Sequence, residues 1–315
     1  MSRTYNAVGI NLKAIPLGES DRLLTILTRE QGLIRAVAPG ARKPRSKLRG
    51  NSGLFLVNQL LIAKGRSLDK ITQAETIKSY SKLSQNLGKL AASQYLAELV
   101  LAIALTEQPQ EELFLLLNEH LNRLEQLQNT SESQTCLLVI TGLVHGIFHL
   151  LALAGVAPQV QFCNLTQRLI EPNFYQLKWQ VGFSITSGGI VSLSNWHQHQ
   201  AKTAKAAKVA ERSQDYTVET VEDSEVKIDF RLTPTQLATL QKLAQPQMID
   251  LLAPIAVSNS AKNVTVELSD LLFIEQLLRR YTEYHLGRKI RSAPLIETYT
   301  QQEQGAKSDE RNNLS

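Results

Sequence analysis

A chain of 315 residues is too long for one ordinary core, and its 43% hydrophobic and 20% charged content is that of a folded protein, which excludes a largely disordered one. The net charge of +5 is unevenly placed: residues 1–80 hold 14 Lys/Arg against 5 Asp/Glu, and the remainder holds 20 against 24. A basic head on a slightly acidic body points to a polyanion partner for the head, which lacks the amphipathic helix that a membrane surface would require. Two cysteines, Cys136 and Cys163, are too few for a disulfide framework and fit a reducing, cytoplasmic compartment. No apolar run follows Met1, so no signal peptide is predicted.

Residues 5–78 read as strands. Val8, Ile10 and Leu12 alternate with small or polar residues, and the turn signal Pro16-Leu-Gly-Glu-Ser20 follows. Further strands are predicted over 22–28, 33–38, 54–63 and 70–77, with a basic loop from Pro39 to Gly53. Five short strands in residues 1–80 suit a small barrel of the OB type. From about residue 81 the period is helical, over 89–105, 111–127 and 136–154. The stretch 136–157 has no formal charge and is long enough to cross a bilayer, but it carries His145, His149, Thr141 and three glycines without a basic flank or aromatic belt. A buried central helix is the better account.

Residues 158–232 read as an irregular insertion of short strands, with Trp179, Phe183 and Ile190 as its apolar residues and a polar, flexible loop over 201–226. A helix then starts at Thr233 as N-cap, with Pro234 at its first position and Gln236 completing a capping box. Another runs from about 268 to 286 and stops at Gly287. The expected architecture is α+β and multidomain: an OB-fold β-barrel (1–80), an α-helical bundle domain (81–157 and 233–291), the β insertion, and a mobile tail (292–315).

The feature richest in chemistry is Arg42-Lys-Pro-Arg-Ser-Lys-Leu-Arg49, five basic residues in eight positions with no acid between them. On a loop between barrel strands, Arg42, Lys43, Arg45, Lys47 and Arg49 can follow a phosphate backbone and release its counterions. Arg22, Arg35, Lys64 and Arg66 extend the candidate surface. Aromatic residues are scarce in the head, so backbone tracking is expected rather than base-specific readout. Arg279, Arg280, Arg288, Lys289 and Arg291 form a second basic cluster; it complements a helix terminus and is a candidate secondary DNA contact. His145 and His149 have metal-ligand spacing, but in an apolar helix they read as core histidines satisfied by hydrogen bonds; His197 and His199 are a weaker hint. No P-loop, GxGxxG, GxSxG or acidic pair suggests catalysis, so no enzymatic activity and no cofactor are expected.

Taken together, Tyr5-Asn-Ala-Val-Gly-Ile-Asn-Leu12, Gly18-Glu-Ser-Asp-Arg-Leu-Leu24, Thr28-Arg-Glu-Gln-Gly-Leu33 and Ala36-Val-Ala-Pro-Gly-Ala-Arg-Lys43 resemble the amino-terminal domain of the bacterial recombination mediator family RecO. The likeness continues through Gln73-Ala-Glu75 and returns at Leu277-Leu-Arg-Arg-Tyr-Thr-Glu-Tyr-His-Leu-Gly-Arg288. The resemblance implies an OB head, a helical domain and a small zinc-finger-like insertion. It also implies binding of single- and double-stranded DNA, strand annealing and recombinase loading at the nucleoid. The implied partners are RecR, RecF and the acidic carboxyl-terminal tail of single-strand-binding protein. Where relatives carry two Cys-x-x-Cys pairs, this chain has Cys163 with Thr166, then Ser192 with Asn195. One thiolate cannot hold a structural zinc, so no metal is expected. The alternatives are a protein-interaction scaffold and an RNA-binding OB protein without annealing activity.

Overall fold

The computed structural model describes residues 4–128, 131–197, 226–245, 255–256 and 263–313, so the expected loop 201–226 lies outside the described residues but for Val226. Strands β1 (Thr4–Leu17), β2 (Asp21–Thr28), β3 (Gly32–Ala38), β4 (Leu56–Ala63) and β5 (Asp69–Ser79) close into a barrel in the order β1-β2-β3-β5-β4. The two ends of β1 do different work: Thr4–Ile10 pairs with β4 and Gly9–Leu17 with β2, both antiparallel, and β3 meets β5 in parallel. Where the two pairings of β1 overlap only glycine fits, because a Cβ on Gly9 would stand 2.6 Å from Ile26. Alternating inward residues, among them Ala7, Leu24, Ile26, Ala36, Leu60 and Ile62, fill the interior. The strand order is that of an OB barrel, as the strand pattern predicts.

The long helices among the described residues are α1 (Leu87–Ile103), α2 (Glu111–Gln126), α3 (Glu132–Leu153), α4 (Pro234–Leu243), α5 (Leu268–Leu286) and α6 (Ala293–Asn313). Helix α3, apolar and long enough to cross a bilayer, instead packs on α1 and α2 with Val139, Ile140, Leu143, Val144 and Ile147 fully buried. The capping box of α4 is present: Gln236 N–H donates to Thr233 Oγ1 at 3.3 Å, and Thr233 N–H donates to Gln236 Oε1 at 3.0 Å. Gly287 ends α5 at φ 62°, a left-handed residue where glycine carries no Cβ penalty.

The chain divides into two compact units, 1–154 with 288–315, and 155–287. This corrects the expected grouping, which placed 233–291 with the first helices. Helical periodicity reveals that a helix has an apolar face but not what covers it. In the second unit, β6 (Val181–Ser184), β7 (Gly189–Val191) and β8 (Phe230–Leu232) form a sheet in the order β7-β6-β8. There Tyr281 of α5 packs on Phe183 of β6, with ring centroids 5.8 Å apart, and the Gln241 amide of α4 donates to the Val160 and Ile170 carbonyls at 2.9 Å. The tail is a second correction. Its polar composition masks Ala293, Ile296, Tyr299 and Thr300, which recur every three or four residues, lie buried, and belong to a helix packed on α1.

Candidate nucleic-acid interface

The basic loop joining β3 to β4 is a folded structure. Ala41 and Leu48 drop into the barrel core, while Arg42, Lys43, Arg45, Lys47 and Arg49 remain exposed. Successive tight turns carry the chain over the barrel end: Lys43 N–H donates to Gly40 O at 2.8 Å, Ser46 to Lys43 at 3.2 Å and Arg49 to Ser46 at 3.2 Å. Each alternate position is thereby free to present a cation outward. No salt bridge among the described residues engages any of the five.

Both ends of the loop are pinned by buried or half-buried polar groups. At the first end, the Asp21 carboxylate accepts from Gly40 N–H and from Ser20 Oγ, each at 2.7 Å. The Gly40 amide, then the Ser20 hydroxyl, hold this carboxyl below its ordinary pKa, and the charges of Lys43 and Lys70 add to the effect. Arg42 donates through its backbone N–H to Ser20 O at 2.8 Å and through Nη1 to Gly18 O at 2.9 Å, tying the loop to the β1–β2 turn. At the other end, buried Asn11 donates to the carbonyls of Asn51 (2.9 Å) and Gly53 (2.8 Å), and buried Asn58 donates to Asn51 O at 3.0 Å.

The remaining candidates in the head divide. Arg22 is half-buried and donates to Ser52 Oγ at 3.0 Å, so it braces the loop. Lys64 lies 3.9 Å from Asp69 and 3.7 Å from Glu107, which partly neutralise it. Arg66 is exposed on the β4–β5 turn. Arg35 is exposed in mid-β3 opposite Thr25, which in turn faces Lys13 on β1, so these three share an outer face. The sequence reading missed Lys13 and Lys70, isolated cations within strand patterns, and the anchors Asp21, Asn11 and Asn58. Asp21, directly after the Gly18-Glu-Ser turn, carried the only legible signal, since a carboxylate there can cap backbone amides.

The second basic cluster is divided between the two units. Within the second unit, Arg279 is largely buried with Nε 3.6 Å from the buried Glu275 carboxylate, and Arg280 lies 5.5 Å over the Phe230 ring. Within the first unit, Arg288, Lys289 and Arg291 rim a groove of about 1120 Å³ together with Lys13, over a floor that includes Leu101 and Leu295. The one acid in its wall, Glu98, is engaged: its carboxylate accepts from Arg291 N–H and Ser292 N–H at 2.9 Å and from Ser292 Oγ at 2.7 Å.

Of the expected core histidines, His145 is buried and His149 half-buried. His145 and His149 meet His120 of α2, with ring centroids 4.1 Å to 5.8 Å apart, and His120 Nε2 is buried without a hydrogen-bond partner. Burial first, then the neighbouring imidazoles and Arg123, push His120 down to about 3; burial, His149 and Arg123 do the same to His145, also about 3. His149 is lowered by burial and Arg123.

In the insertion, Phe183 and Ile190 are fully buried and Trp179 half-buried. Cys163 is buried, and its Sγ accepts Ser192 N–H at 3.3 Å. Burial alone would raise this thiol, but hydrogen bonds from the Ser192 amide, the Thr166 hydroxyl and the amides of Leu165 and Thr166 bring it below its usual value. Exposed His197 packs on Trp196, and His199 lies outside the described residues. Among the described residues no three His, Cys, Asp or Glu side chains are placed to hold a metal, and one thiolate beside hydroxyl and amide side chains is not a zinc ligand set.

These features define an α+β protein headed by an OB-type barrel, with a rigidly seated cationic loop at one end of that barrel. Residues 1–80 match the family model for the amino-terminal domain of recombination protein O, and residues 84–221 match that for its carboxyl-terminal domain. The chain is 53% identical over 305 residues to DNA repair protein RecO of Nostoc sp., an alignment covering 95% of this chain and 97% of that one. It is 53% identical to the protein of the same name from Trichodesmium erythraeum (95% and 96% covered) and 42% identical to that of Synechocystis sp. (95% and 98% covered). The chain belongs to the RecO family.

Proposed function

We propose that this protein is a DNA-binding mediator of recombinational repair, acting in the cytoplasm at the nucleoid. The observation that carries this reading is the loop of five exposed cations, none of them in a salt bridge among the described residues, on a frame fixed by buried Leu48, Asn11 and Asn58. Such a surface binds phosphates without reading bases, which suits annealing of complementary single strands and contact with duplex DNA alike. The names of its relatives, which are DNA repair and recombination proteins, support the same setting. RecR and RecF are the partners this role implies, with recombinase loading onto strands coated by single-strand-binding protein as the outcome. The groove rimmed by Lys13, Arg288, Lys289 and Arg291 suits the acidic tail of single-strand-binding protein, because its rim is cationic and its floor apolar.

The test is binding to a bare oligonucleotide across a salt series. Substituting all five loop cations by Ala should weaken binding and flatten the salt dependence by about 0.7 per lost phosphate contact on single strands. Unchanged binding would place the DNA site elsewhere. The groove favours a second reading, a scaffold that docks acidic protein tails. No affinity for bare DNA, with retained affinity for an acidic peptide, would favour it.

A further inference from the structure

We infer that residues 159–196 form a ligand-deficient zinc knuckle: a backbone already shaped for four metal ligands, in which hydrogen bonds to the single sulfur of Cys163 replace the metal. The inference is independent of the DNA-binding reading, since it concerns how the insertion holds its shape. The first half is a tight turn. Gln167 N–H donates to Cys163 O at 2.7 Å, Cys163 N–H donates to Arg168 O at 2.8 Å, and Gln167 takes a positive φ of 54°. Leu165 and Thr166 of this turn help hold the Cys163 thiol below its usual value. A turn that aims backbone N–H groups at a sulfur stabilises electron density there, which is what a metal-bound thiolate requires.

The second half starts at Ser192, where Trp196 N–H donates to Ser192 O at 2.9 Å and begins a helical turn, so Ser192 and Asn195 have the spacing of a second ligand pair. The halves are stitched together. Ser192 N–H reaches Cys163 Sγ, Asn164 N–H donates to Ile190 O at 2.9 Å, and Gln159 exchanges bonds of 2.9 Å with Gly188 O and Ile190 N–H. Position 192 therefore lies against position 163. Four thiolates at this point would repel one another until a cation joined them. One sulfur surrounded by donors has no such need. Phe183 and Ile190, both fully buried, supply the apolar packing beneath.

The experiment uses the full chain and a variant carrying Thr166→Cys, Ser192→Cys and Asn195→Cys. The parent should contain no stoichiometric zinc by elemental analysis, and its thermal unfolding should be unmoved by a strong chelator. The triple variant should take up about one zinc per chain, give thiolate-to-metal charge-transfer bands with cobalt, and unfold at lower temperature when chelated. About one zinc retained by the parent, or a chelator-sensitive parent, would overturn the inference; so would a folded triple variant, judged by circular dichroism, that binds no metal. Should the triple variant not fold, Cys163→Ser decides: hydrogen bonding to the sulfur predicts a melting temperature lower by a few degrees, whereas an unchanged melting temperature would refute it.

Discussion

The two basic clusters look alike in sequence, and the structure uses them in opposite ways. In the barrel loop most of the structural work falls to other residues: Leu48 and Ala41 fill the core, while Asp21, Asn11 and Asn58 hold the backbone, and of the cations Arg42 alone adds a bond to the Gly18 carbonyl. All five cations are therefore left exposed. In the later cluster, Arg279 and Arg280 are engaged with Glu275 and Phe230 inside the second unit, and only Arg288, Lys289 and Arg291 face a groove of the first. Charge density along the chain is thus a poor guide to a binding surface. What counts is whether something else anchors the segment.

The largest expected effect tests this contrast directly. Neutralising Arg42, Lys43, Arg45, Lys47 and Arg49 should weaken single-strand binding by about 100-fold or more near physiological salt, read by fluorescence anisotropy. Arg279→Ala should leave that affinity within a few-fold. Its effect belongs to stability: removing the guanidinium beside the buried Glu275 carboxylate should cost about 3 kcal/mol in urea unfolding. Strong loss of DNA affinity with unchanged stability would reverse the assignment.

A third group of basic residues, the histidines, extends the comparison into the core. Because His120 and His145 are pushed to about 3 in the folded chain, the unfolded chain takes up more protons below its ordinary histidine value of 6.5. Stability is then full above about pH 6.5 and falls with decreasing pH, by about 2 kcal/mol for these two residues between pH 6.5 and 5.5. Urea midpoints measured across that range check it, and His120→Leu should flatten the dependence. The smallest effect separates charge from frame. Leu48→Ala removes no charge but should cost about 2 kcal/mol and loosen the loop, lowering DNA affinity by less than the five-fold substitution does. An affinity equal to the parent's would mean that the cations act without their frame.

Much of the barrel was legible because strand alternation and turn residues are local signals. The ranges expected for its strands fall close to those observed, and the capping box at Thr233 and the stop at Gly287 appear where local chemistry places them. The tail helix α6 was not legible, since its few apolar residues gain meaning only against α1. His120 gave no signal of its own: the histidine trio exists because α2 packs on α3, a contact between helices that periodicity does not encode. The brace from Arg22 to Ser52 was equally hidden, because the two are thirty residues apart.

By itself, the sequence determined the OB-type head, most helix boundaries before the tail, the density of cations in the β3–β4 loop and the missing cysteines. These follow from backbone preference, local hydrogen bonding and composition, which act over a few residues. Only the tertiary structure decided which cations stay free, which helices join the insertion and what satisfies the lone sulfur of Cys163. Those outcomes depend on burial, and burial is set by segments far apart in the chain.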